Sequence, residues 1–306
     1  MRLVIDKQEI RFLDLTWSGS KYNAARQVSF TYPSKIGYAI SPGSILTLHE
    51  GNRTLFEGIV FSKQISNKSH EMNVVAYDRL IYFLKSEGSY NFKTTTVGNV
   101  IKKVAADVGV PVGSIADSET SIKLDSMISM NLYEVILQAY REVKNKTKIV
   151  YMPVINGGKL SIIKAGETVS DFSLENGINL LDSSFGESIE NVKNKILIVD
   201  DKGNRVGEVK GDGLSQWGTF QGVYQKEEGK NSNTEAKSLL HGMDLEASVE
   251  ALGNINCISG KAVTVLDPTT KLKGLFYIDE DTHYWNRGQH TMSLQLNFKN
   301  MVDDEL

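Results

Sequence analysis

GSILTLHEGNRTLFEGIVFSKQISNKSHEMNVVAYDRLIYF, residues 43–83, is the stretch whose reading decides the fold class. Three apolar runs stand in it: Ile45, Leu46 and Leu48; Leu55, Phe56, Ile59, Val60 and Phe61; and Met72, Val74 and Val75. Turn material separates them, which is the pattern of a β-meander. Gly51, Asn52 and Arg53 supply the backbone freedom of a tight turn between the first two runs. The Ser-, Asn- and Lys-rich stretch 62–71 reads as a solvated loop.

A similar stretch recurs near the other end of the chain. Gly43-x-x-x-Thr47-Leu48 leading to Gly58-Ile-Val-Phe61 is matched by Gly260-x-x-x-Thr264-Val265 leading to Gly274-Leu-Phe-Tyr277. Each is followed by a polar excursion and an alternating strand, at 72–76 and at 292–298. The match predicts one β module used twice.

At 306 residues the chain exceeds what one hydrophobic core serves, so two or three domains are expected. Hydrophobic residues at 41% and charged residues at 23% are ordinary for a soluble globular protein. A net charge of −3 without any Lys/Arg block offers no field for gripping a nucleic-acid backbone, so specific nucleic-acid binding is not expected. No apolar run approaches membrane-spanning length, and the amino terminus meets Asp6 too early for a signal peptide, so no membrane partner is expected. The single cysteine, Cys257, lies in an apolar-flanked run and reads as a buried small hydrophobe; alone it forms no internal disulfide.

Short alternating runs at 3–6, 9–15 and 27–32 precede the meander, and Asp78 reads as the cap of a brief helix over 78–84. A first β domain, 1–88, follows from these. The periodicity then changes. Apolar residues in 97–108 and again in 132–143 fall at offsets 0, 3, 4, 7, 8 and 11, predicting two amphipathic helices. Thr94 to Thr96 are cap candidates for the first, Ser129 or Asn131 for the second. Strands at 149–155 and 159–163 follow, joined by a hairpin turn at Asn156-Gly157-Gly158. Residues 89–165 thus read as a small α/β domain. Strands are expected again at 178–181, 188–199, 205–209 and 217–225, a helix from 234 to about 243 capped by Asn233, and strands thereafter. This makes 166–306 a second β domain with a β insertion around 200–232. The fold class is therefore α+β and mainly β.

No catalytic, cofactor-binding or metal site emerges. His49, His70, His241, His283 and His290 lack the i, i+4 spacing of zinc peptidases; His283 and His290 can face each other across a turn at 286–288, as two strand histidines near a hairpin. There is no Gly-x-Ser-x-Gly elbow and no phosphate loop. Asp279, Glu280 and Asp281 read as a solvated strand edge, since adjacent strand residues point to opposite faces. Glu227 with Glu228 is the other carboxylate pair weighed for a glycosidase, without a motif behind it.

Several strings in chain order carry a family resemblance: 55–60, 75–84, the Val-Ile-Lys-Lys-Val helix within 94–108, Glu190 to Lys195, Gln216-Trp217-Gly218, and 274–278 with His283 and 292–296. Together they resemble the baseplate hub family of contractile phage tails, in particular the late control protein D-like hub of prophages and phage-tail-like bacteriocins. More remotely they resemble the tube portion of type VI secretion spike proteins. The resemblance implies two related tube-type β-barrel domains and a homotrimer that adapts the hexameric tail tube protein to the trimeric central spike protein. Other baseplate proteins and the tape measure protein are further implied partners. It implies no enzyme and no cofactor, and a place in the baseplate of a virion or tail-like particle assembled in the bacterial cytoplasm. Gly43, Leu48, Phe56, Gly58 and Asp78 would belong to the first ring module, and Gly260, Gly274, Tyr277, His283 and Leu296 to the second. The alternative is a tail-associated cell-wall hydrolase.

Overall fold

Strands β1 (Arg2–Ile5), β2 (Gln8–Ile10), β3 (Asp14–Ser20), β4 (Gln27–Pro33), β5 (Ile45–Glu50), β6 (Arg53–Ser66) and β7 (Glu71–Asp78) open the chain, followed by the short helix α1 (Leu80–Leu84). They belong to a computed structural model that describes residues 1–21 and 25–298. In β4 Val28, Phe30 and Tyr32 point inward and their neighbours are less buried, the two-residue period of a strand with one face on a core. Leu3, Ile5, Leu15, Trp17, Leu46, Leu48, Phe56, Val60, Val74 and Ala76 complete that core. The stretch 62–71 is only in part the loop expected: β6 continues to Ser66, paired with β7, and the turn is confined to 67–70. Backbone pairing with β7 extends the strand where composition suggested solvent. Asp78 does cap α1, accepting the N–H of Leu80 at 2.9 Å.

Next come β8 (Glu87–Thr96), α2 (Val97–Asp107), β9 (Val112–Ile115), β10 (Ser121–Asn131), α3 (Leu132–Thr147), β11 (Tyr151–Asn156) and β12 (Lys159–Lys164). Both helices stand where their periodicity puts them. Thr96 accepts from the N–H of Asn99, and Asn131 from those of Tyr133 and Glu134, so each helix starts on a side-chain cap. Their stripes, Val100, Ile101, Val104 and Ala105 against Val135, Ile136, Ala139 and Val143, form a second core with Phe83, Ile122, Leu160 and Ile162. Gly157 and Gly158 both have positive φ, 55° and 71°, the backbone a two-residue β-hairpin requires. The long β8–β10 ribbon was not expected; three register shifts interrupt its alternation.

The remaining elements are β13 (Glu167–Glu175), β14 (Leu180–Ser188), β15 (Lys195–Val199), β16 (Arg205–Lys210), α4 (Leu214–Trp217), β17 (Gln221–Gln225), α5 (Ser232–Ser238), β18 (Asp244–Leu252), β19 (Lys261–Asp267), β20 (Leu272–Asn286) and β21 (Gln289–Asn297). The chain divides into two compact units, one comprising Met1–Ser183 with Ser248–Leu306, the other Ser184–Ala247. In the second unit β15 lies between β16 and β17, and Ile196, Ile198, Val209, Tyr224 and Ala236 form its core. There α5 begins earlier than expected, because Asn231, not Asn233, accepts the first free N–H groups, and the helix ends well before Gly242. The expected strand 217–225 is a helical turn at its start and a strand only from Gln221.

In the large sheet the hydrogen-bonded order is β14-β18-β21-β20-β3-β4-β7-β6-β5-β1-β2, with β19 on the other half of β20 and β13 on β19. That order contains the same path twice. One copy is β3-β4-β7-β6-β5-β1 and the other β14-β18-β21-β20-β19-β13, alike in order but not in the direction of the last strand, since β1 pairs antiparallel with β5 and β13 parallel with β19. The two copies share a defect. Val60 pairs with Ala76 and Ser62 with Val75, leaving Phe61 as a bulge; Ile278 pairs with Leu296 and Glu280 with Gln295, leaving Asp279 as a bulge. Superposing the bulges also superposes the neighbouring pairs, Leu48–Phe56 on Val265–Gly274. The repeat is therefore real, but the sequence match was two residues out in its second strand. Gly274 takes the place of Phe56, and Phe276 that of Gly58. A two-residue slip keeps every side chain on its own face, so the hydrophobic pattern did not expose it. Among the described residues the branched pairing path is open at its three ends, β14, β2 and β13, so the two strand sets lie in one continuous sheet and no closed barrel is formed within the chain.

Candidate functional site at the junction of the two strand sets

The two strand sets meet where the second half of β20 pairs antiparallel with β3. Asp281 stands opposite Gly19, and His283 opposite Trp17. Asp281 is buried, and Arg26, at the entry to β4, grips it through its two terminal guanidinium nitrogens, Nη1 and Nη2, at 2.9 and 2.5 Å. A bidentate fork fixes direction as well as distance. The N–H of Ser259 donates to the same carboxylate at 2.6 Å. The guanidinium lies over the Trp17 ring, 4.1 Å from its centroid. Gly19 is required beneath it: a Cβ there would collide with the Arg26 head. Nearby, Lys21 pairs with Asp279 at 2.9 Å. The expectation that Asp279 to Asp281 form a solvated edge is thus corrected. Strands on both sides make β20 interior, and the bulge at Asp279 turns it to the same side as Ile278; only Glu280 is exposed.

Asp78 joins the junction from β7. It accepts the N–H of Arg26 at 3.2 Å as well as that of Leu80, yet burial outweighs these bonds and pushes its carboxyl up to about 7. His283 and His290 do meet, Nδ1 to Nε2 at 3.1 Å. His283 Nε2 lies 3.1 Å from the carbonyl oxygen of Cys257. A carbonyl only accepts, so Nε2 of His283 carries a proton and its Nδ1 accepts from His290. Burial pushes both imidazoles down to about 4, keeping them neutral near pH 7. His290 stacks on Trp285 at 4.2 Å, and Trp285 in turn packs into the core of the first strand set. A Cβ on Gly253 would strike the His290 ring. The Cys257 thiol is fully buried and pushed up to about 12, chiefly by desolvation. Among the described residues no group of three or more His, Cys, Asp and Glu side chains is arranged to hold a metal ion. The arrangement's chemistry is mechanical: a fork, a stacked pair of rings and a buried carboxylate tie one strand set to the other.

Of the residues singled out in the sequence, the structure joins Leu48 to Phe56 and Gly58 to Asp78 as cross-strand pairs. Leu48, Phe56, Asp78, His283 and Leu296 are buried and Tyr277 is half-buried. Gly43 and Gly260 precede β5 and β19 with φ of 95° and 86°, the same left-handed entry in both modules. Gly58 is a packing glycine, since a Cβ would meet the Phe56 ring and the Tyr77 carbonyl. Gly274 has φ 140° and open space around it. His283 and Asp78 belong to the junction; the others line the modules away from it. Sequence reasoning missed Arg26, Trp17 and Trp285 as junction residues. Their partners lie some 250 positions away in the chain, as the 255-residue separation of Arg26 and Asp281 illustrates.

Residues 15–297 match the model of the YQBQ-like family. The chain belongs to the YQBQ-like family. A relative at 25% identity, over 94% of this chain and 92% of that protein, is the phage-like element PBSX protein XkdQ of Bacillus subtilis (strain 168). Among solved structures, the 43 kDa tail protein of prophage MuSo2 from Shewanella oneidensis is similar with a TM-score of 0.69 and 14% identity, covering 97% of each chain. The tail protein from Neisseria meningitidis MC58 is similar with a TM-score of 0.70 and 14% identity, over 96% of this chain and 95% of that one. This YQBQ-like chain therefore has the fold of prophage tail proteins.

Proposed function

We propose that this chain is a structural hub of the baseplate in a contractile phage tail or tail-like particle. Three copies would present six related modules to a hexameric tail tube protein above and a trimeric central spike protein below, with other baseplate proteins and the tape measure protein as neighbours. The observation that carries the reading is the duplicated strand path with its bulge at the same place in both copies. A trimer needs two equivalent surfaces per subunit to match six-fold symmetry, and closed rings are the usual solution for homo-oligomers. The tail-protein fold and the phage-element relative support it. In this reading 1–88 and 166–306 contribute the two tube modules, each closing into a barrel wall only with its neighbours, and 89–165 is a small α/β domain between them. Gly43, Leu48, Phe56, Gly58, Asp78, Gly260, Gly274, Tyr277, His283 and Leu296 then hold the ring modules in shape from within. The role is assembly and involves no catalysis.

The test is solution mass followed by image reconstruction of the full chain, alone and with its tube and spike proteins. The expected outcome is a trimer with a six-lobed ring. A chain that stays monomeric under all three conditions overturns the reading.

A further inference from the structure

The two strand paths differ in one connection. β3 and β14 hold equivalent places in them, as do β4 and β18. The first module passes from Ser20 to Gln27 with only residues 21–26 between; the second leaves β14 at Ser188 and returns in β18 at Asp244. A fold that makes do with a short connection in one copy does not need the compact unit Ser184–Ala247 in the other, and a unit grafted at one of two equivalent places points to an added role. Its central strand, β15, reads Lys-Ile-Leu-Ile-Val and pairs parallel with β17. A continuous apolar run and a parallel ladder both mark a strand covered on two faces. Only one face is covered. Ile196 and Ile198 lie under α5, with Val209, Tyr224, Ala236 and Leu240. On the other face Leu197 and Val199 are half-buried, and Val223, opposite Leu197, is 59% exposed. Cations surround that bare face. Lys195 and Lys210 stand opposite one another at one end, and Arg205 opposite Val199 at the other. All three converge on Glu208, at 3.3, 3.1 and 2.5 Å. Among the described residues of the three strands no other acidic side chain stands on this face. One carboxylate among three cations leaves a positive surface with an apolar middle, although the unit as a whole carries more acidic than basic residues.

We infer, independently of the hub reading, that this face of the β16-β15-β17 sheet docks an amphipathic helix of a partner protein, one whose apolar stripe is flanked by Asp and Glu. The dimensions suit a helix. Three strands make a face about 10 Å across, the width of one helix, and strands of this length, about 17 Å, take about three helical turns. The opposite face already seats α5, so a second helix completes the helix-sheet-helix layering that parallel pairs favour. The charges select the helix. Its apolar stripe would lie on Leu197, Val199 and Val223, and its carboxylates would meet Lys195 and Lys210 at one end and Arg205 at the other. A nucleic acid fits less well. This face of the three strands offers no aromatic ring for bases to stack on, and Glu208 stands among the cations where a phosphate would come.

The experiment titrates the full chain against three fluorescent probes and reads anisotropy: a peptide of two Leu-Glu-Glu-Leu-Leu-Glu-Glu heptads, the same peptide with Lys for every Glu, and a single-stranded oligonucleotide of matched length. The Glu peptide is expected to bind tightest and to weaken as salt rises. Val223→Asp and the double variant Arg205→Glu, Lys210→Glu should each weaken it by at least about tenfold, and Lys237→Glu, on α5, should leave it unchanged. All four positions are exposed, so the variants are expected to melt with the parent. Should the double variant not fold, Lys210→Gln takes its place, with an expected loss of about threefold. Binding of the Lys peptide or the oligonucleotide at least as tightly as the Glu peptide overturns the docking face. So does binding of the Glu peptide that Val223→Asp and the charge changes leave intact, and so does its failure to bind at about 1 mM. None of these results bears on the trimer, which solution mass tests separately.

Discussion

The two modules of this chain share a backbone and disagree about nearly everything attached to it. Both enter on a left-handed glycine, both pair three strands in the same register, and both break that register with one bulged residue, Phe61 in one and Asp279 in the other. Yet the aromatic and the glycine that fill the space below the bulge have changed places. Phe56 precedes Gly58 in the first module, whereas Gly274 precedes Phe276 in the second, and both rings are 4% exposed. Beyond the bulge the contrast is sharper. Asp281 is buried and gripped, while Lys63, its counterpart, sits on an exposed strand. Duplication has preserved where the chain goes; the neighbour each strand meets has decided what it carries.

The largest effect is expected at that contrast. Replacing Asp281 by Ala strands the Arg26 guanidinium in a largely dry site and should cost about 3–5 kcal/mol in urea unfolding. The comparison then extends to pH. His283 and His290 are held neutral down to about 4, while their unfolded forms take protons near 6.5. They therefore contribute stability that is present above about pH 6.5 and lost as pH falls toward 4. Asp78 has the opposite sign: its native carboxyl keeps its proton up to about 7, so stability falls as pH rises from about 4 to 7. Thermal melts across pH 4–7 should show a flatter acid limb for a His283→Gln, His290→Gln double variant and a steeper one for Asp78→Asn. Next come the exchanged glycines. Gly58→Ala forces a methyl onto the Tyr77 carbonyl and the Phe56 ring and should cost about 1–3 kcal/mol; Gly274→Ala meets open space and pays only its left-handed backbone, about 1 kcal/mol. Equal losses at the two sites would break the claim that they play different parts. Lys63→Ala removes only the bond its ammonium donates to the Ile40 carbonyl at 2.6 Å and should cost about 0.5–1.5 kcal/mol in the same assay.

Much of this was legible in the sequence because it is local. The 3.6-residue stripes of α2 and α3, their Thr96 and Asn131 caps and the Gly157–Gly158 turn each depend on residues a few positions apart. The repeat was visible through Gly43 and Gly260, the glycines that the backbone itself requires. Its second strand was misaligned because glycine–aromatic exchange preserved composition, and a slip of two preserves the pattern of faces. The junction was the least legible part. That Asp279 and Asp281 are buried follows from β3, a strand near the opposite end of the chain, and no local period encodes a partner so distant. Likewise β6 runs on past Phe61 because β7 pairs with it, not because Ser62, Lys63 and Gln64 favour strand.

Cys257 carries a practical consequence. Sealed beneath His283 with its thiol pushed up to about 12, the chain's single cysteine is silent toward alkylating and thiol-exchange reagents at neutral pH. Any cysteine introduced on the surface, at Ile65 or at Leu181, would thus be the one reactive handle on the native protein. Fluorophores or spin labels can be placed there without first removing the native thiol, and a distance between two such labels on different copies would test the proposed ring.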